Sequence, residues 1–231
     1  MTWQGKRAAL GVIYHWLHIY FREWEKDKTR KTERDLDAAL DAAGTLLSQA
    51  EIEQLRSPRP PDRLEHPPHM MRIRPPNGEG GAIAATTLLW YREANREHCR
   101  INYGVWTMVD PPAGTKRSDG GRSRIPIFCG YRFETPERGA NHAYHHSQPC
   151  RSFGDKDAED IPEAFQTSVR YPTWPLAAKD EVQMAICLVL ALYGFIGFED
   201  LREHAERGAK EPAASVLKSA FETIEEFQII R

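Results

Sequence analysis

The sequence predicts a single α+β domain, with a central antiparallel sheet of about four strands flanked by an N-terminal helical hairpin and a C-terminal helical layer. Three observations predict it. Apolar residues recur at helical spacing near both ends, as in Leu10, Ile13, Leu17, Tyr20 and Trp24, and again in Val216, Leu217, Ala220 and Ile224. Between them, the runs 83–92, 99–109 and 124–134 are rich in β-branched and aromatic residues. The segment Val182–Tyr193 is apolar on every side, so it must be covered all round and belongs at the centre of the fold. A chain of 231 residues can bury one such core, and the parts 1–56, 57–81, 82–150 and 151–231 are read as regions of one domain.

Taken in order, residues 3–27 form an amphipathic helix with His15, His18, Arg22 and Glu25 on a polar side. Val12, Trp16, Ile19 and Phe21 widen its apolar stripe beyond what one neighbour covers, so it packs on two elements or on one element and a partner chain. His15 and His18 have no third ligand nearby and read as exposed polar residues. Thr32 and Asp35 mark a helix start, and Ser48 with Glu51 forms an S-x-x-E capping box opening a short helix that ends near Leu55. The proline-dense stretch 57–77 disfavours both helix and sheet interior and reads as a crossing segment. NGEGG at 77–81 lacks a following helix and is a turn rather than a phosphate cradle.

The first two strand-like runs are joined by ANRE at 94–97, which suits a hairpin. A long loop then carries Lys116, Arg117 and Arg122, with Arg124 just beyond it, and these four are the candidates for nucleic-acid contact. Residues 152–160 are acidic but lack the glycine and glutamate positions of an EF-hand. Asp180 and Glu181 suit the positive end of the apolar helix, and Gly194 suits its C-terminal stop. A short helix over 199–207 and a last helix opened by Pro212 complete the chain.

The bulk numbers exclude several classes. With 31 basic and 33 acidic side chains the net charge is −2, so no global field points to nucleic acid or to an acidic membrane surface. Four widely spaced cysteines, without a C-x-x-C pair, suit a reducing compartment. The N-terminus lacks a signal-peptide pattern, and the apolar run 182–198 barely reaches spanning length, so a cytoplasmic protein without membrane contact is expected.

Chemistry concentrates in 124–150, where 127–134 and 141–148 are expected to pair as antiparallel strands across the turn-rich 135–140. If Glu134 lies opposite His142, then Glu134, Arg132, His142, Tyr144, His146 and Gln148 share one surface. Glu134, His142 and His146 are then candidate ligands for a divalent metal, or a histidine–carboxylate pair for general base chemistry with Arg132 steadying an anion. A one-residue slip instead packs those histidines with Phe133, Tyr131 and Cys129. No nucleotide fingerprint, nucleophile elbow or H-E-x-x-H motif occurs.

The reading that follows is a non-catalytic interaction or structural subunit of a larger assembly, meeting a protein partner or a second copy of itself, with Trp3, Trp16 and Trp24 as interface candidates. The alternatives are a metal-dependent hydrolase or nuclease using Glu134, His142 and His146, and a nucleic-acid-binding accessory protein using the 116–124 loop.

Overall fold

A computed structural model of the chain describes residues 2–27, 34–55, 69–76, 82–93, 96–109, 125–136, 145–150, 174–176 and 178–228. The elements in chain order are α1 (Trp3–Asp27), α2 (Arg34–Ala43), β1 (Thr45–Leu46), α3 (Gln49–Leu55), β2 (His69–Ile73), β3 (Ala82–Glu93), β4 (Arg96–Val109), β5 (Ile125–Glu134), β6 (His146–Cys150), β7 (Trp174–Pro175), α4 (Glu181–Gly208) and α5 (Ala213–Gln228). The fold is α+β. One sheet runs β1-β2-β3-β4-β5-β6-β7, parallel only between β1 and β2 and antiparallel elsewhere. Five strands, β2 to β6, have five or more residues, and two-residue pairings close each edge.

The helices divide between the two faces of this sheet. On one face α1, α4 and α5 pack together over a core that includes Leu10, Ile13, Leu17, Ile73, Leu88, Trp90, Ile101, Ile186, Leu188, Phe198 and Ile224. The other face is covered at one end by α2, where Leu36 and Leu40 meet Met70, Ile83, Ala85 and Trp106. The broad apolar stripe of α1 is thereby consumed inside the chain, because α1 touches α3, α4, α5 and β2. Even its polar positions are drawn in: His15 is buried and its ring stacks 5.9 Å from that of His204, which corrects the expectation of an exposed side chain. His18 is half-buried, and burial, reinforced by the Arg22 charge, lowers its pKa.

Local signals set several boundaries. Ser48 and Glu51 exchange the two bonds of a capping box, at 2.8 Å from Ser48 N to the carboxylate and 3.3 Å from Glu51 N to the hydroxyl, and α3 ends at Leu55. Asp180 caps α4 by accepting from Gln183 N at 2.9 Å. Glu181 beside it meets Lys6 of α1 at 2.9 Å, a largely buried ion pair that fixes the two central helices to each other. Gly194 breaks α4 with φ 64° and ψ −160°, so the element is two helical stretches meeting at a corner. Gly197 is required there as well, since a Cβ on it would stand 2.4 Å from Tyr193 Cβ.

The sheet departs from the expected layout in three ways. β2 lies inside the proline-dense segment, whose five proline-free residues HMMRI bury Met70, Met71 and Ile73 against both core clusters. The short β1 and β7, at Thr45–Leu46 and Trp174–Pro175, lie outside the expected strands. The third departure is the register of β6, which places Glu134 opposite His146, Arg132 opposite Gln148 and Gly130 opposite Cys150. Both anticipated pairings, Glu134 with His142 and its one-residue slip, are replaced by one displaced four residues along β6. The physical reason is Thr135. Its N–H donates to the Cys99 carbonyl at 3.0 Å and its hydroxyl accepts from Cys99 N at 3.0 Å, so the chain stays bonded to β4 past Glu134 and cannot turn back at once. Pro149 is accommodated within β6 opposite Tyr131 rather than ending the strand, beyond the part of β6 that β7 pairs with.

Candidate functional site

Two polar constellations flank the sheet, one on each face. The first is built on β3, β4 and β5, whose register sets Thr87 beside Asn102, Asn102 beside Arg132, and Arg100 beside Glu134. Side chains of directly opposed residues lie on one face, so these five form a row across three strands. Asn102 donates to Thr87 Oγ1 at 3.3 Å and accepts from Arg132 Nε at 3.3 Å. The Glu134 carboxylate lies 2.8 Å from Arg100 Nε and 3.6 Å from Arg132 Nη1. Thr87, Asn102 and Glu134 are buried, while the two arginines are about a quarter exposed at 27% and 23%. Next along the same face, Gly104 stands opposite Gly130, leaving a strip without side chains between this row and the α2 cluster.

This geometry bears directly on the candidate residues. Arg132 and Glu134 are brought together, and His146 is the strand partner of Glu134. His142 lies outside the described residues, as do Lys116, Arg117, Arg122 and Arg124. A divalent cation on Glu134 would have to enter between two guanidinium groups, and among the described residues no cluster of three metal-ligating side chains occurs. What the row can do is hold an acid between two bases and a carboxamide, which suits rigid positioning of the sheet and leaves one net positive charge on it.

The interface candidates are also located. Trp16 and Trp24 are core residues rather than surface ones, with Trp16 Nε1 donating to Asp200 at 3.1 Å and its ring stacked 4.7 Å from Tyr20. Trp3 is half-buried with its ring 4.0 Å from that of Trp90. The apolar width of α1, which suggested a partner, is explained by four neighbours within the same chain.

The second constellation sits on the helix-covered side, at the end of β2. Arg74 follows the last strand residue and precedes Pro75, which is buried. Its Nη1 donates to the Tyr20 hydroxyl at 2.7 Å, and its guanidinium carbon lies 4.8 Å from the Tyr20 ring centre. Its backbone carbonyl accepts from the Tyr193 hydroxyl at 2.8 Å. Tyr193 in turn meets Tyr20 edge-on at 5.1 Å. Arg74 Nε is buried without an acceptor, and no carboxylate pairs with this guanidinium among the described residues. Burial pushes the Tyr20 phenol up, the Arg74 charge opposing it, and pushes the Tyr193 phenol well above the ordinary tyrosine value, so both remain neutral, Tyr20 accepting from Arg74 and Tyr193 donating to it.

Sequence reasoning missed this group because its members come from α1, the proline-dense segment and the break in α4, and no local pattern links them. The corner at Gly194 adds the remaining surface feature. Among the described residues the large apolar side chains left exposed are Phe195, at 48%, and Ile196, at 79%. Phe195 leans on the buried Phe198 with ring centres 6.0 Å apart, which holds the corner firm. A 590 Å³ groove between α4 and α5 is floored by Ala205, Leu217 and Phe221, already buried, and Arg202 spans it to Glu225 at 2.6 Å.

α4 is long and apolar enough by composition to cross a membrane, but most of its apolar stretch is buried inside the fold. Compared with known proteins, the chain matches no family model, no curated protein and no solved structure.

Proposed function

We propose that this chain is a protein-interaction subunit and that its docking point is the corner of α4, where Phe195 and Ile196 enter an apolar pocket on a protein partner. The observation that carries the reading is the exposure of these two residues at one corner, in a chain that otherwise buries or half-buries its large apolar side chains among the described residues. Gly194 and Gly197 build the corner, and Phe198 braces it from below. A small rigid apolar knob pre-pays the ordering cost that a flexible segment would meet on binding. The tryptophans play no part in this version of the interaction reading, since two are core and the third stacks on Trp90.

The test is affinity purification of the tagged full chain from its native cells beside Phe195→Ser/Ile196→Ser, with size-exclusion chromatography and light scattering on both. A stoichiometric protein partner recovered by the parent and lost by the double variant, at unchanged thermal stability, supports the reading. Self-association abolished by the double variant would identify the partner as a second copy. A monodisperse monomer whose co-purifying proteins are the same in both would refute it.

A further inference from the structure

The group around Arg74 has the features of a recognition site rather than of an internal brace. A half-buried guanidinium normally meets a carboxylate, as those of Arg100 and Arg72 do at 2.8 Å from Glu134 and 3.0 Å from Asp37, and Arg74 is half-buried as well. Arg74 has neither that partner nor an acceptor for Nε among the described residues. Its position is nevertheless fixed twice, through its carbonyl by Tyr193 and through Nη1 and the ring face by Tyr20. One Nη1 proton goes to Tyr20, while the N–H groups of Nε and Nη2 along the adjoining edge of the planar group match two oxygens of a single anion. A preorganised fork of this kind loses little freedom when an anion arrives, and a buried donor gains the acceptor it lacks.

We propose that Arg74, positioned by Tyr20 and Tyr193, binds an oxyanion, a carboxylate or a phosphate group, through its Nε–Nη2 edge. The neutral phenols carry no charge to repel such a group, and the bond to Tyr20 fixes the Nη1 side of the guanidinium, so an anion reaching the buried Nε supplies the acceptor that it lacks. The site does not depend on the corner at Phe195 acting as a docking point.

The experiment is a titration of the ¹⁵N-labelled full chain, following arginine Nε–Hε resonances by NMR, with sodium phosphate in one arm and sodium acetate in the other. Sodium chloride holds the ionic strength constant and serves as the control. The Arg74 signal, identified by its disappearance in Arg74→Lys, should shift saturably in one or both arms, and the stronger arm identifies the group that the site prefers. Arg74→Lys keeps the charge but loses the fork, and should weaken the binding, followed through neighbouring amides, by roughly tenfold or more. Tyr20→Phe should weaken it severalfold with an unchanged amide spectrum elsewhere, and this variant serves should Arg74→Lys fail to fold. Shifts that match those in chloride alone, or binding that is undiminished in Tyr20→Phe, would overturn the proposal.

Discussion

The two arginine constellations lie on opposite faces of one sheet and solve the same problem differently. On one face Arg100 and Arg132 share the Glu134 carboxylate, and a carboxamide and a hydroxyl extend the row to β3. On the other, Arg74 is held by phenols and has no acid beside it among the described residues. A charge that is paired and hydrogen-bonded contributes to holding strands in register, and removing its partner strands what remains. A charge that is positioned but unpaired costs stability in the free protein, and its natural use is to meet something from outside. The difference teaches that partial burial alone does not mark a site, and that a half-buried charge without a counter-charge is the one to test for a ligand.

The comparison can be broken at several points. The largest effect is expected for Glu134→Gln, which leaves two partly buried guanidinium groups facing each other. Their exposure of about a quarter moderates the penalty, and a loss of about 2–3 kcal/mol is expected in urea unfolding. Next comes Gly197→Ala, whose methyl would meet Tyr193 Cβ at 2.4 Å, a contact with no flexible end to yield. About 1–3 kcal/mol should be lost, and because Tyr193 holds the Arg74 carbonyl, the Arg74 resonance should move as well.

A smaller effect is expected with pH. Burial raises Cys187 from 9.0 to about 11, and raises Tyr20 and Tyr193 above 10.0. For these groups the unfolded chain loses its protons first as pH rises, so the stability they confer is complete below pH 9.0 and is lost progressively above it, for Cys187 between 9.0 and about 11. Urea midpoints should therefore fall between pH 8.5 and 10.5, and a midpoint constant over that interval would remove the claim that these groups are buried in solution.

Much of this architecture was legible in the sequence, and the part that was not has a definable cause. The spacing of α1, the all-round apolarity of 182–193, the Ser48–Glu51 box and the stop at Gly194 are local signals, and each is visible within about ten residues. The register of β6 is not local, because it depends on Thr135 holding on to Cys99, 36 residues away in the chain. β2 was obscured by prolines on both sides of HMMRI, although none falls within it. Of the candidate site, Arg132 and Glu134 were identifiable from their shared strand face, but Arg100 and Asn102 required the pairing of β4 with β5. Arg74 gave no signal, since its meaning lies in partners at positions 20 and 193 and in the acid that none of them supplies.

The most direct test of the contrast is to unfold Arg74→Gln and Glu134→Gln side by side, in one buffer, by urea with two spectroscopic probes. Removing Arg74 takes away one hydrogen bond and a ring contact but also a buried donor without an acceptor, so its stability should stay within about 1 kcal/mol of the parent. Glu134→Gln should fall below it by more than about 1 kcal/mol, because two guanidinium groups lose the carboxylate that they share. Equal losses in the two variants, or a larger loss at Arg74, would contradict the assignment of one constellation to holding the fold and the other to meeting a ligand.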